Sequence, residues 1–176
     1  MVEYLLPPAP GEDVVLVAYD EAWPATYARQ ESRIRSALGE TVVDVQHAGS
    51  TSVPGLTAKP VIDIVLVVPD PDDEADYVPA LEATGYVLHL REPEWHEHRL
   101  LREGEGQRVN LHVFGPGCEE VARMLAFRDH LRRDESDRAL YERTKQELAG
   151  RTWAKVQDYA DAKSGVVTDI MGRALR

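Results

Sequence analysis

Cysteine is almost missing from these 176 residues: Cys118 stands alone, so no internal disulfide can form, and the chain fits a reducing compartment, by default the cytoplasm. No apolar run reaches the ~18 residues of a membrane-spanning helix. The N-terminus also lacks a basic segment followed by an apolar one, so neither a membrane span nor a secretion signal is expected. Basic residues are scarce relative to acidic ones. Twenty Lys and Arg against 31 Asp and Glu give a net charge of −11, which works against unspecific attraction to DNA, RNA or anionic lipid. Any phosphate ligand must therefore be held locally, and the expected partners are small molecules, not nucleic acid or membrane. Internal repeats are absent. The one biased tract is the acidic stretch from Asp70 to Asp76, which reads as a solvated loop and helix start. Nothing in the composition sets an oligomeric state.

What is present suits one folded domain over 1–176: 43% of residues are hydrophobic and 29% charged, with apolar runs spread along the chain. Met1 to Asp13, carrying Pro7, Pro8 and Pro10, has no periodicity and reads as an extended arm. Strand signals follow at Val14–Ala18, Thr41–Gln46, Val61–Val68 and Tyr86–Leu90, and helical spacing at Asp20–Leu38 and Glu74–Thr84, where Pro79 is tolerable only near the first turn. His98–Glu103 and Arg108–Phe114 bracket Gly104–Gln107 as a β-hairpin, with Asn110 and His112 on one face and Val109, Leu111 and Val113 on the other. From Glu119 the chain reads as helical over Glu119–Arg132, Asp137–Leu148 and Trp153–Leu175, a helical tail packed on the core. The class is α+β.

The stretch from His47 to Leu56, reading HAGSTSVPGL, carries the chemistry. Three hydroxyls and two glycines form a turn whose backbone N–H groups can approach a phosphate chain closely. Lys59-Pro60 and the apolar run Val61–Val68 follow, holding a single acid, Asp63. A lone carboxylate in a buried strand is costly without a partner or a metal. The competing reading is structural: Gly-Ser-Thr-Ser clusters are commonly plain turns, and a strand aspartate is commonly a satisfied acid.

Several further residues match one known pattern: Tyr19-Asp20, Trp23-Pro24, Ala58-Lys59-Pro60, Ile62-Asp63-Ile64, Leu111-His112-Val113-Phe114, Phe127-Arg128-Asp129 with Leu131, and Tyr141, Lys145, Tyr159 and Lys163. With the His47–Leu56 motif, they make the chain resemble the GrpB family of the nucleotidyltransferase superfamily, nearly end to end. That resemblance implies a nucleotidyltransferase-like mixed sheet flanked by helices, and Mg²⁺ (or Mn²⁺) with a nucleoside triphosphate, first of all ATP, as substrate. It also implies transfer of a nucleotidyl group to a small-molecule acceptor. Carried over by position, Gly49 and Ser50 form the phosphate turn, assisted by Thr51 and Ser52, and Asp63 is the metal acid and a catalytic residue. The superfamily places a second acid two residues further on, where this chain has Val65. The third acid would align at Asn110 to His112, where His112 becomes the catalytic candidate. Two-metal catalysis needs more than one acid, whereas a Mg²⁺ held by Asp63, triphosphate and water is feasible.

Around this centre, Lys59 is expected to meet the triphosphate as a point charge. Arg99 would clamp phosphate or carboxylate oxygens with its planar fork, Lys163 would reach the phosphates, and Tyr159 would stack on a base or sugar. His47 supports the turn at most, and Cys118 is packing. His96, His98 and His112 can be drawn as a metal cluster, but without cysteine ligands and with the register open nothing specific points to zinc. Two alternatives stand beside the transferase: a nucleotide-binding or accessory module without turnover, linked to coenzyme A metabolism by analogy with dephospho-CoA kinase fusions, and an adenylation-driven ligase.

Overall fold

The computed structural model describes residues 1–6, 14–103, 108–153 and 156–175, the side chains of 156 and 157 excepted. Among the described residues six strands form one mixed sheet: β1 (Glu3–Tyr4), β2 (Asp44–Ala48), β3 (Val61–Val67), β4 (Val87–Glu92), β5 (His98–Glu103) and β6 (Arg108–Phe114). Their order is β1-β4-β5-β6-β3-β2, and every neighbouring pair is antiparallel except β3 with β6. Between β2 and β6, β3 has both faces covered, hence its near-continuous apolar run. Six helices accompany the sheet among the described residues: α1 (Trp23–Leu38), α2 (Val78–Glu82), α3 (Glu119–Arg133), α4 (Glu135–Ala149), α5 (Val156–Ala162) and α6 (Ser164–Ala174).

Period-two alternation sorts the sheet into two unlike faces. Ile62, Ile64 and Leu66 of β3 join Val109, Leu111 and Val113 of β6 on one face, against Trp23, Ile34 and Leu38 of α1 and Leu81 of α2. Burial of each such side chain contributes about 1.5–3 kcal/mol. The opposite face carries Ala48, Val65, Val67 and Phe114, on which Val121 and Met124 of α3 rest. Beyond the end of β2, Val53 and Leu56 pack with Leu131 of α3, Tyr141 of α4 and Ile170 of α6. The helical tail therefore closes over the Gly-Ser turn.

Several boundaries differ from the sequence reading. Glu74–Asp76 is a tight 3₁₀ turn and α2 begins at Val78, because Pro79 has no N–H to donate and is accommodated only at a helix start. The single C-terminal helix expected over Trp153–Leu175 is two helices that break at Lys163. Val14–Ala18 does not join the sheet; Val17 alone bridges to Ala58. The N-terminal arm contributes β1, paired with Arg91 and Leu90 of β4, while residues 7–13 and the expected hairpin connection 104–107 lie outside the described residues.

Candidate functional site

β2 ends at Ala48, paired with Asp63, and the chain must turn away at once. Gly49 makes that turn at φ +67°, and a Cβ there would collide with the Asp63 carboxylate, so only glycine lets turn and acid meet. Ser50–Ser52 then form one 3₁₀ turn. Its hydroxyls have different fates. Thr51 Oγ1 lies 3.0 Å from His47 Nε2 and donates to the Val61 carbonyl at 3.2 Å, and Ser52 Oγ donates to the Gly49 carbonyl. Both are committed to shaping the loop and are not available to phosphate as hydroxyls. Ser50 Oγ instead accepts from Lys145 Nζ at 3.1 Å.

A cavity of about 250 Å³ opens beside the turn, lined by Ser50, Thr51, Lys59, Asp63 and Asn110 and, from the helical tail, Lys145, Tyr159 and Lys163. Lys145 on α4 is 2% exposed, donates to the Thr57 carbonyl and lies 4.8 Å from the centre of the Tyr141 ring. Burial, reinforced by the charge of Lys163 and opposed by Glu142, pushes its ammonium down to about 7. Lys163, at the break between α5 and α6, lies 4.5 Å over the Tyr159 ring. Burial and neighbouring Lys59 push it down to about 8 against the opposing charge of Asp63. Three ammonium groups thus face one carboxylate.

Asp63 is held from the neighbouring strand. Asn110 Nδ2 donates to its Oδ1 at 3.0 Å, and His112 Nε2 stands 3.5 Å from the same oxygen. Burial opposes the charge on Asp63, but these two contacts and Lys163 outweigh it and hold the carboxyl below the usual range. Behind His112 the contacts continue: His98 Nε2 lies 3.1 Å from His112 Nδ1, and His98 Nδ1 2.8 Å from Glu92 Oε2. Burial, with the charges of His112, Arg99 and His96, pushes His98 down to about 3, while desolvation raises the Glu92 carboxyl.

The structure brings Gly49, Ser50, Lys59, Asp63, Tyr159 and Lys163 together as read from the sequence, and places His112 behind Asp63 instead of on the cavity wall. It corrects Arg99. Paired with Val113, Arg99 projects to the opposite face, where it donates to Glu74 at 2.6 Å, to Asp72 and to the Glu97 carbonyl. Both carboxylates saturate its fork, and the sheet separates it from the cavity. Ser52 does not line this cavity, and the Tyr159 ring, 1% exposed and covered by Lys163, has no free face for a base. His96 lies in the turn before β5, so the drawn histidine cluster reduces to His98 and His112. The sequence offers Lys145 only as a position of the family pattern beside Tyr141, with no role at the phosphates, and the structure puts it on the cavity wall. Its signal was the spacing Tyr141/Lys145, which repeats Tyr159/Lys163 one helix earlier.

The family profile described as GrpB protein matches residues 13–173. The chain belongs to the GrpB family. A UPF0157 protein of Halalkalibacterium halodurans is 54% identical over 161 residues, spanning 92% of this chain and 82% of that protein. Another, of Streptomyces coelicolor, is 50% identical over 162 residues, 92% of this chain and 84% of its own length. Among solved structures, that of GrpB from Enterococcus faecalis superposes with a TM-score of 0.79 at 28% identity, covering 92% of this chain and 97% of that one. Within this GrpB chain the motif residues divide by role: Gly49, Ser50, Lys59, Asp63, Lys145, Tyr159 and Lys163 converge on the cavity, while Trp23, Ile62, Ile64 and Val113 are core.

The donor set does not fit two resident metal ions. Val65, where a second acid would stand, is 0% exposed in the apolar cluster beneath α3. Asn110 turns its NH₂ toward Asp63 while its carbonyl oxygen accepts from Arg102 at 3.2 Å. Asp63 is the one carboxylate on the described cavity wall.

Proposed function

We propose that the cavity binds the phosphates of a magnesium-bound nucleoside triphosphate, ATP being the first to test, and that the protein transfers a nucleotidyl group to a small acceptor. The convergence of Lys59, Lys145, Lys163 and the Ser50 turn around Asp63 carries this reading. Buried ammonium groups facing one carboxylate favour an anionic ligand, and a site of low dielectric strengthens their pull on phosphate oxygens. The magnesium ion belongs to the substrate here, and Asp63 offers it one carboxylate. Lys145 and Lys163 neutralise the phosphates, and Asp63, by holding the substrate's magnesium, sets the position of the phosphoryl group for attack by the acceptor hydroxyl, whose proton leaves to water. His112 acts through Asp63 as a positioning residue.

The test is release of pyrophosphate from Mg-ATP in the presence of a small-metabolite extract. Asp63→Asn should lower release by about 10²-fold or more with an unchanged circular dichroism spectrum. Unchanged turnover in the variant would remove Asp63 from the chemistry. One observation favours a second reading, binding without turnover: the apolar burial of Val65 leaves the site a single acid. Tight nucleotide binding with no pyrophosphate released under any acceptor mixture would support that module over the transferase.

A further inference from the structure

Among the described residues, the one buried side-chain polar atom without a hydrogen-bond partner is the Tyr159 hydroxyl, and Tyr159 lies on the wall of the cavity. An unmade buried hydrogen bond is destabilising, and native proteins leave few of them without a functional reason. The Tyr159 ring is already engaged, by Lys163 on its face and by Trp153 with ring centres 6.2 Å apart at 70°. What this residue still offers a ligand is its hydroxyl.

The rest of the wall is equally unsuited to a nucleoside. Among the described residues its polar groups are ammonium, hydroxyl, amide and one carboxylate, and the side chains of Leu16, Val61 and Ala160 supply no flat aromatic surface. About 250 Å³ is below the roughly 300–1,000 Å³ of pockets that enclose a drug-sized molecule, so a whole nucleotide does not fit inside. A chain of two or three phosphates does.

We infer that this cavity recognises the phosphate chain itself and is indifferent to the nucleoside, so that an inorganic oligophosphate is as good a ligand as a nucleoside triphosphate. The inference rests on the reading of the cavity as a triphosphate site and narrows it. Ser50 and the turn contact one end of the chain and Lys145 and Lys163 flank it, and a local shift of the wall on binding brings the buried Tyr159 hydroxyl to a phosphate oxygen. Lys163 and Glu142 act on the charge of Lys145, and Lys59 and Asp63 on that of Lys163. A polyanion entering beside Lys145 favours the charged ammonium that burial disfavours, so Lys145 takes up a proton as the ligand binds.

Calorimetric titration of the full chain with tripolyphosphate, ATP, GTP and adenosine tests this. Run at pH 8 in two buffers of different ionisation heat, it also counts protons taken up. Tripolyphosphate, ATP and GTP should bind within about threefold of one another and adenosine should not bind. Up to one proton should be taken up per ligand, falling in Lys145→Met. Lys163→Met and, as a milder variant that keeps the fold, Ser50→Ala should weaken all three ligands together, the first about tenfold. Tyr159→Phe should do so about fivefold. A preference of tenfold or more for ATP over tripolyphosphate overturns the inference and leaves the nucleotide reading standing. Binding of tripolyphosphate without ATP supports the inference and removes the nucleotide. Binding of neither, or binding untouched by all these substitutions, overturns both.

Discussion

Both faces of the central sheet bury cations, yet they treat them in opposite ways. On the face beneath α1 and α2, Arg99 is 5% exposed between Glu74 and Asp72, and Glu74 also accepts from Arg91 at 2.6 Å. Burial opposes the charge on Arg99, but its two carboxylates outweigh that and raise it; Arg91, paired with Glu74, is raised too. On the face beneath the helical tail, burial dominates and lowers Lys145 and Lys163 instead. A charge whose carboxylate partners outweigh its burial is structural, whereas one whose burial outweighs its partners favours a ligand that brings negative charge.

The largest consequence falls on the matched face. Arg99→Met would leave Glu74 with Arg91 alone and strip the Glu97 carbonyl contact and the Asp72 pair, and should cost about 3 kcal/mol in urea denaturation, with ligand affinity for the cavity unchanged. Gly49→Ala strikes the junction instead: a left-handed residue would gain a Cβ against the Asp63 carboxylate. A loss of about 2–3 kcal/mol, together with loss of phosphate binding, is expected. Lys145→Met should differ from both. Removing a buried ammonium that the fold itself does not fully neutralise should change stability by about 1 kcal/mol or less, while abolishing its share of ligand binding. A loss as large as that of Arg99→Met would show that Lys145 is a structural cation after all.

How much of this contrast is legible before folding depends on which residues set the geometry. Alternation correctly put Asn110 and His112 on one face and Val109, Leu111 and Val113 on the other, because a strand has no other choice. The same rule forbids His98 and Arg99 from sharing a face, so assigning Arg99 to the cavity required the hairpin register, which adjacent residues do not encode. Arg99 pairs with Val113, and that settles its direction. Gly49, Ser50 and Asp63 were readable because a tight turn against a buried acid demands a glycine. Lys145 and Lys163 come from helices far along the chain, and their meeting at the cavity depends on tertiary packing that no local pattern carries. The break at Lys163 has no glycine or proline at that position to announce it; Gly165 lies two residues on, inside α6.

Proton linkage gives a finer test of the same contrast. The ammonium of Lys145 titrates near 7 in the fold against an ordinary 10.5, and that of Lys163 near 8. Between the folded and unfolded values the unfolded chain binds more protons, so stability rises with pH across that window and is lowest below pH 7, where both states carry the charge. Unfolding free energies from urea titrations without ligand should climb by about 1 kcal/mol between pH 7 and 8 and by about 2 kcal/mol between 8 and 9, as first one and then nearly two protons separate the states. Lys145→Met should remove most of the climb between pH 7 and 8 and about half of that between 8 and 9, where Lys163 still contributes. Arg99→Met should lower the whole curve without altering its slope, since its guanidinium stays charged throughout. Saturating tripolyphosphate should flatten the wild-type curve as well, because an anion that supplies the missing negative charge removes the reason for the ammonium to lose its proton. A slope unchanged in Lys145→Met would assign the titration to another group and leave the two faces alike in how they hold charge.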